Sequence, residues 1–242
     1  MNAIVVKNLT KKYGTNIAVD NLSFQVKKGK VFGLLGANGA GKSSTIECIL
    51  GTKKMDAGEV SILEMNPIKE RTQVFERVGV QFQESKYQEL VKVEELCEMT
   101  ASVYKEPQSY EDLLTAFGIA DKKKEYVKEL SGGERQRLFI VLALIPNPEL
   151  VFLDELTTGL DARARRDVWS ILEKLKKQGL SILLTSHYMD EIKALCDEIL
   201  ILKKGKMVFH GTVEEAKSES GKKYFEDAYL WYTDEEDSHE NI

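Results

Sequence analysis

An apolar run from Lys30 to Leu35 leads straight into Gly36-Ala37-Asn38-Gly39-Ala40-Gly41-Lys42-Ser43-Ser44, and no other stretch of the chain restricts its fold so tightly. Glycines let a backbone curl where side chains would forbid it. The flanks call for a buried strand before the curl and a helix from about Lys42 after it. Gly-x-x-x-x-Gly-Lys-Ser is the spacing of a loop whose N–H groups turn inward on phosphate oxygens, backed by the positive end of the following helix. On this reading Gly36, Ala37, Asn38, Gly39, Ala40, Gly41 and Ser44 shape the cradle, Lys42 reaches the outer phosphates and the Ser43 hydroxyl takes a Mg²⁺ ion.

The rest of the 242 residues reads as an α/β protein large enough to bury a substantial core. Strands are expected at Ala3 to Leu9, Leu22 to Val26, Glu59 to Leu63, Val78 to Phe82, Leu150 to Leu153, Ser181 to Thr185 and Glu198 to Leu202. A turn at Lys204-Gly205-Lys206 leads into a last strand, Met207 to Phe209. From about Glu84 to Leu130 the period becomes helical: Leu90, Val93, Leu96 and Cys97, then Leu113, Leu114 and Phe117, with Gly118 as C-cap. Ser131 and Glu134 have capping-box spacing. Asp161 caps a helix reaching about Gln178, with Gly179 just past its end. Alternating buried strands and helices imply a mainly parallel sheet with ligand sites at the strands' carboxyl ends.

Composition narrows the class. The net charge of −5 equals the contribution of Asp234, Glu235, Glu236, Asp237 and Glu240, so the body is neutral and the end, 233–242, reads as a solvated acidic tail. Basic residues are scattered without interleaved aromatics, which argues against nucleic acid. Cys48, Cys97 and Cys196 form no motif and read as reduced thiols. No signal peptide is expected, and the longest apolar run, Leu138 to Ile145, is far short of the roughly 20 residues that span a bilayer. No direct membrane insertion is expected.

Two further motifs carry chemistry. In LVFLDE, Asp154 and Glu155 end a buried strand, and neighbouring strand residues point to opposite sides. Asp154 suits a Mg²⁺ ligand and Glu155 a general base for water, a role worth roughly 10²–10⁴ in rate. In LSGGERQR, Ser131, Gly132 and Gly133 open a helix and make a second anion site. Two glycines in a first helical turn cost roughly 1 kcal/mol each, a sign that something approaches the backbone there.

Together these motifs resemble the ATP-binding subunit of an ABC transporter, over about residues 3 to 212. The resemblance implies a P-loop NTPase core with a mainly parallel sheet, an N-terminal antiparallel β subdomain and an inserted α-helical subdomain. The core would be 1–83 and 146–242, and the helical subdomain 84–145 would carry the signature. ATP and Mg²⁺ are implied, with Ser131, Gly132, Gly133 and Asp161 meeting in trans the ATP held by a second copy of the chain. Tyr13 resembles the aromatic that stacks on adenine, Gln83 (less closely Gln81) the glutamine that senses Mg²⁺ and water, and His187 the switch histidine at the γ-phosphate. The family usually has proline after the catalytic glutamate. Leu156 stands there instead, and slower or less coupled hydrolysis, rather than inactivity, is the expectation.

The length excludes twin-cassette ribosomal proteins, and the lack of a coiled coil excludes chromosomal ones. His187 to Glu191 (HYMDE) and Phe225 to Leu230 resemble the drug- and peptide-export branch. This implies a homodimer at the cytoplasmic face of the membrane, serving a separate transmembrane permease, with residues 83 to 87 in contact with it. A soluble ABC ATPase and a non-catalytic ATP-gated switch are the alternatives.

Overall fold

The computed structural model describes residues 1–81 and 90–234. They fall into two compact units, one of 1–27, 31–69 and 185–242, the other of 28–30 and 70–184. The first opens with β1 (Asn2–Tyr13), β2 (Asn16–Lys27), β3 (Val31–Gly36), α1 (Lys42–Ile49) and β4 (Ala57–Ile62). β1 pairs antiparallel with both β2 and β4, giving the expected N-terminal antiparallel sheet. Both long strands run well past their expected ends. Asn8 and Asn21 take φ of 51° and sit at register shifts, so the polar breaks in the pattern are bulges within continuous strands.

The second unit holds α2 (Arg71–Phe75), β5 (Val78–Gln81), α3 (Val93–Ala101), α4 (Tyr110–Ala116), α5 (Gly132–Leu144), β6 (Leu150–Leu153), α6 (Ala162–Lys177) and β7 (Ser181–Leu184). β5, β6 and β7 pair in parallel, in that order. All four residues of β6, an unbroken apolar run, and of β7, apolar after Ser181, are buried, as strands flanked by helices should be. Among the described residues three α-helices, α3 to α5, and two 3-10 turns lie between β5 and β6, in the stretch expected to be helical. Gly118 closes the turn after α4 with φ of 65°.

The chain then returns to the first unit through α7 (Met189–Leu195), β8 (Glu198–Lys203), β9 (Lys206–Gly211), α8 (Val213–Ser220) and α9 (Phe225–Thr233). β3 pairs in parallel with β8, and β9 folds back antiparallel across Lys204 and Gly205, both at positive φ. The protein is α/β: β3, β5, β6, β7 and β8 lie in parallel ladders, and the antiparallel pairs are those of the N-terminal sheet and of β9. Of the acidic tail, Thr233 ends α9 and the Asp234 carbonyl accepts a hydrogen bond from Lys203 Nζ at 2.6 Å, while 235–242 lie outside the described residues. Among the described residues no helix is long and apolar enough to cross a membrane.

Two expected outcomes follow from packing. A Cβ on Gly79 in β5 would lie 1.8 Å from the Ala143 carbonyl oxygen of α5, a backbone atom that cannot swing aside. Gly79→Ala should therefore cost about 3 kcal/mol, at the upper end for overpacking, read as a lowered urea midpoint. Cys97 is fully buried on α3, and burial pushes its thiol up to about 12. Iodoacetamide at pH 8 should leave it unmodified until denaturant is added, as read by peptide mass spectrometry.

Candidate active site

In the first unit, β3 carries the chain to Gly36, and residues 37–41 turn before α1 begins at Lys42. Gly36 has φ of 151° and Gly41, the N-cap, φ of 106°, conformations closed to ordinary side chains. Space is as restrictive as conformation. A Cβ on Gly41 would lie 2.3 Å from the Ala18 carbonyl oxygen, and one on Gly36 2.6 Å from that of Leu202. No side chain caps α1 and its first turn holds no acidic residue, so its leading N–H groups remain available to an anion. Lys42 is buried, and its ammonium donates to the carbonyls of Gly36 (2.7 Å) and Ala37 (3.2 Å). Ala37, Asn38, Gly39 and Ser43 are exposed, Ala40 is buried and Ser44 is half-buried.

Tyr13, the last residue of β1, belongs to the same surface. Its hydroxyl lies 3.5 Å from Ser44 Oγ, and Lys11 and Lys53 stand 4.9 and 5.5 Å from its ring centroid. The residue is 42% exposed. His187 is exposed just after the buried Ser186, whose Oγ accepts from Tyr188 N at 3.0 Å.

In the second unit Asp154 follows β6 and is buried. Gln81 braces it from β5: Asp154 N donates to the Gln81 carbonyl (3.0 Å), and Gln81 Nε2 donates to the Asp154 carbonyl (3.1 Å). That position suits a brace for the strand end. Gln83, with the neighbouring 84–87, lies outside the described residues. Glu155 is half-buried at φ of 53°, the left-handed region that non-glycine residues rarely enter, and its Oε2 accepts from Thr158 Oγ1 at 3.3 Å. Leu156 is fully buried.

α5 begins with the expected capping box. Ser131 Oγ accepts from Glu134 N (3.3 Å), Glu134 Oε2 accepts from Ser131 N (2.9 Å), and the Ser131 hydroxyl also donates to that carboxylate (2.7 Å). Those bonds from Ser131 hold the Glu134 carboxyl below its ordinary pKa. The two glycines differ. A Cβ on Gly133 would come 3.2 Å from Leu160 Cδ2, whereas one on Gly132 would meet nothing within 4 Å. Asp161 caps α6 by accepting from Arg163 N (2.9 Å) and Ala164 N (2.8 Å), and these bonds, the one from Ala164 foremost, lower its pKa. Sequence reasoning passed over Thr158 and Gln136, whose side chains hold the turn after β6. Only their closeness to LDE and LSGG could have drawn notice.

The structure thus gathers the phosphate loop, Tyr13 and His187 in one unit, and Asp154, Glu155, Asp161 and the Ser131 helix start in the other.

Comparison with known proteins identifies the family. The profile of the family described as ABC transporter matches residues 19–158. The daunorubicin/doxorubicin resistance ATP-binding protein DrrA of Streptomyces peucetius is 37% identical over 90% of this chain and 68% of its own length. The Nod factor export ATP-binding protein I of Mesorhizobium japonicum is also 37% identical, over 86% of this chain and 63% of its own. A solved ATP-binding subunit of an ABC transporter superposes with a TM-score of 0.87 at 25% identity, covering 96% of this chain and 100% of that one. The chain belongs to the ABC transporter family, as an ATP-binding subunit that hydrolyses ATP to drive transport and is homologous to the subunits of export systems.

Proposed function

We propose that two copies of this chain close around two ATP molecules and power export through a separate membrane permease, at the cytoplasmic face of the membrane. The observation that carries the ATP half is the loop from Gly36 to Ser43, a cradle in which glycine is enforced by backbone oxygens at two positions and an uncapped helix start stands behind it. The export half rests on the relatives, whose names speak of drug resistance and Nod factor export.

In this reading the loop N–H groups and Lys42 hold the β- and γ-phosphates, Lys42 exchanging the Gly36 and Ala37 carbonyls for phosphate oxygens. Tyr13 stacks on the adenine, a contact worth about 1–3 kcal/mol. Ser43 and Asp154, with Gln83, would hold Mg²⁺. An exposed hydroxyl and a carboxylate are hard oxygen donors, and among the described residues no group of three or more His, Cys, Asp and Glu forms a protein cage. Such a sparse set suits an ion that keeps waters and arrives on the nucleotide. When bound, the ion neutralises charge building on the phosphate oxygens.

Glu155 orients the attacking water and takes its proton, and His187 contacts the γ-phosphate. The other copy supplies Ser131, Gly132 and Gly133 at the helix start, with Asp161 nearby. The open backbone at Gly132 supports this trans contact, because among the described residues nothing uses the space a side chain would fill.

Lys42→Ala should lose binding of a fluorescent ATP analogue. Glu155→Gln should bind ATP, turn it over at least 100-fold more slowly and run as a dimer on gel filtration with ATP. Normal turnover by Glu155→Gln would remove the catalytic assignment. The export reading is tested by detergent-solubilising membranes that contain the tagged chain at native level. A multi-spanning protein should co-purify in stoichiometric amount, and recovery of the chain only from the membrane-free fraction would count against a permease.

A further inference from the structure

The turn that carries Glu155 is held from α5. Gln136, one turn into the helix that Ser131 opens, directs its Nε2 at two successive carbonyls, donating to Leu156 O at 2.7 Å and to Glu155 O at 3.3 Å. A carboxamide NH₂ has two hydrogens, so one side chain can serve both acceptors. Glu155 needs such support. At φ of 53° its Cβ crowds its own backbone, and a residue stays in that region only where its surroundings over-determine it. Proline at 156 would fix the next φ covalently. Leucine does not, so hydrogen bonds to these carbonyls carry more of the task. Local bonds add to this: Thr158 N donates to Glu155 O at 3.2 Å and Thr158 Oγ1 to the carboxylate at 3.3 Å. Gln136 reaches the turn from a different element, α5.

We propose that Gln136 is a positioning residue for hydrolysis: by gripping the carbonyls of Glu155 and Leu156 it sets the direction of the Glu155 carboxylate. Because the same helix begins with Ser131 and Gly132, a displacement of α5 when its start meets the partner's ATP is passed, one turn later, to Glu155 of its own chain. This rests on the reading of Glu155 as the general base.

The test compares three substitutions with similar side-chain length. Gln136→Met keeps the bulk and loses the donor. Gln136→Lys supplies an ammonium donor, and Gln136→Glu places an acceptor against two acceptors. Gln136→Met should lower kcat about tenfold, equivalent to roughly 1.4 kcal/mol in the barrier, with KM for ATP within twofold of the parent. Gln136→Lys should return kcat to within about threefold, and Gln136→Glu should be at least as slow as Gln136→Met. A purely structural role would shift melting temperature and KM alike and would not sort the variants by donor capacity. Glu155→Gln is measured alongside. If it is inactive while Gln136→Met turns over normally, the positioning role is overturned and the catalytic reading stands. If Glu155→Gln is fully active, both fall. Should Gln136→Met fail to fold, Gln136→Lys and Gln136→Glu decide, and equal turnover by those two overturns the inference.

Discussion

The phosphate loop is held backbone against backbone, and the first unit is arranged around that contact. The Ala18 carbonyl of β2 stands where a Cβ on Gly41 would be, at 2.3 Å, and 2.9 Å from where one on Gly205 would be. Gly205 in turn donates its N–H to the Ala40 carbonyl at 3.0 Å and accepts from Asp20 N at 2.9 Å. Three chain segments, from β2, the loop and the β8–β9 turn, therefore meet with no side chain between them. Main-chain atoms have no rotamers, so the loop cannot drift without moving a strand and a hairpin. This rigidity would present a fixed array of N–H groups to a phosphate. A preorganised array loses nothing to reorientation when charge arrives.

Where local chemistry determined an element, the sequence disclosed it. β6 is a run of apolar residues and β7 one after Ser181, all buried, α5 begins with a capping box, and α6 begins with an aspartate cap and is followed by Gly179 at φ of 104°. Where a long-range contact determined it, the sequence was silent. The strands β1 and β2 looked shorter because polar Thr10, Lys11 and Lys12 follow Leu9 and Asn21 precedes Leu22, and pairing between the two strands carries them through. α8 carries a readable capping box, Thr212 with Glu215, but buries little more than Val213 and Ala216, too narrow a face for a periodic signal. The meeting of Ala18, Gly41 and Gly205 has no local signature at all.

The candidate site divides in the same way. Gly36 to Ser44, Asp154, Glu155 and the Ser131 helix start were all legible, since each depends on a short motif with its own chemistry. The reason for two glycines at the start of α5 was only half legible. Helix propensity prices both equally, at roughly 1 kcal/mol, yet the structure separates them. Gly133 has an internal use, because Leu160 occupies the space beside it, whereas Gly132 borders open space. A residue that costs helix stability and gains no packing from the described residues fits the proposed role of meeting a phosphate delivered by a second copy.

Leu156 shows how an apparent defect in a motif can be offset. Proline in a compatible turn stabilises by about 0.4–1 kcal/mol, chiefly by restricting the unfolded chain. Burying a leucine side chain fully is worth about 1.5–3 kcal/mol, and Leu156 is fully buried with its carbonyl held by Gln136 at 2.7 Å. On these magnitudes the turn has no need of proline for stability. What changes is the source of its geometry. A ring would fix the dihedral whatever its neighbours do, whereas a buried side chain and a hydrogen bond from α5 fix it only while α5 is in place. On the proposal made for Gln136, the orientation of Glu155 is then a property of the helix that begins at Ser131, and the leucine that looked like a loosened turn would tie the proposed base to that helix.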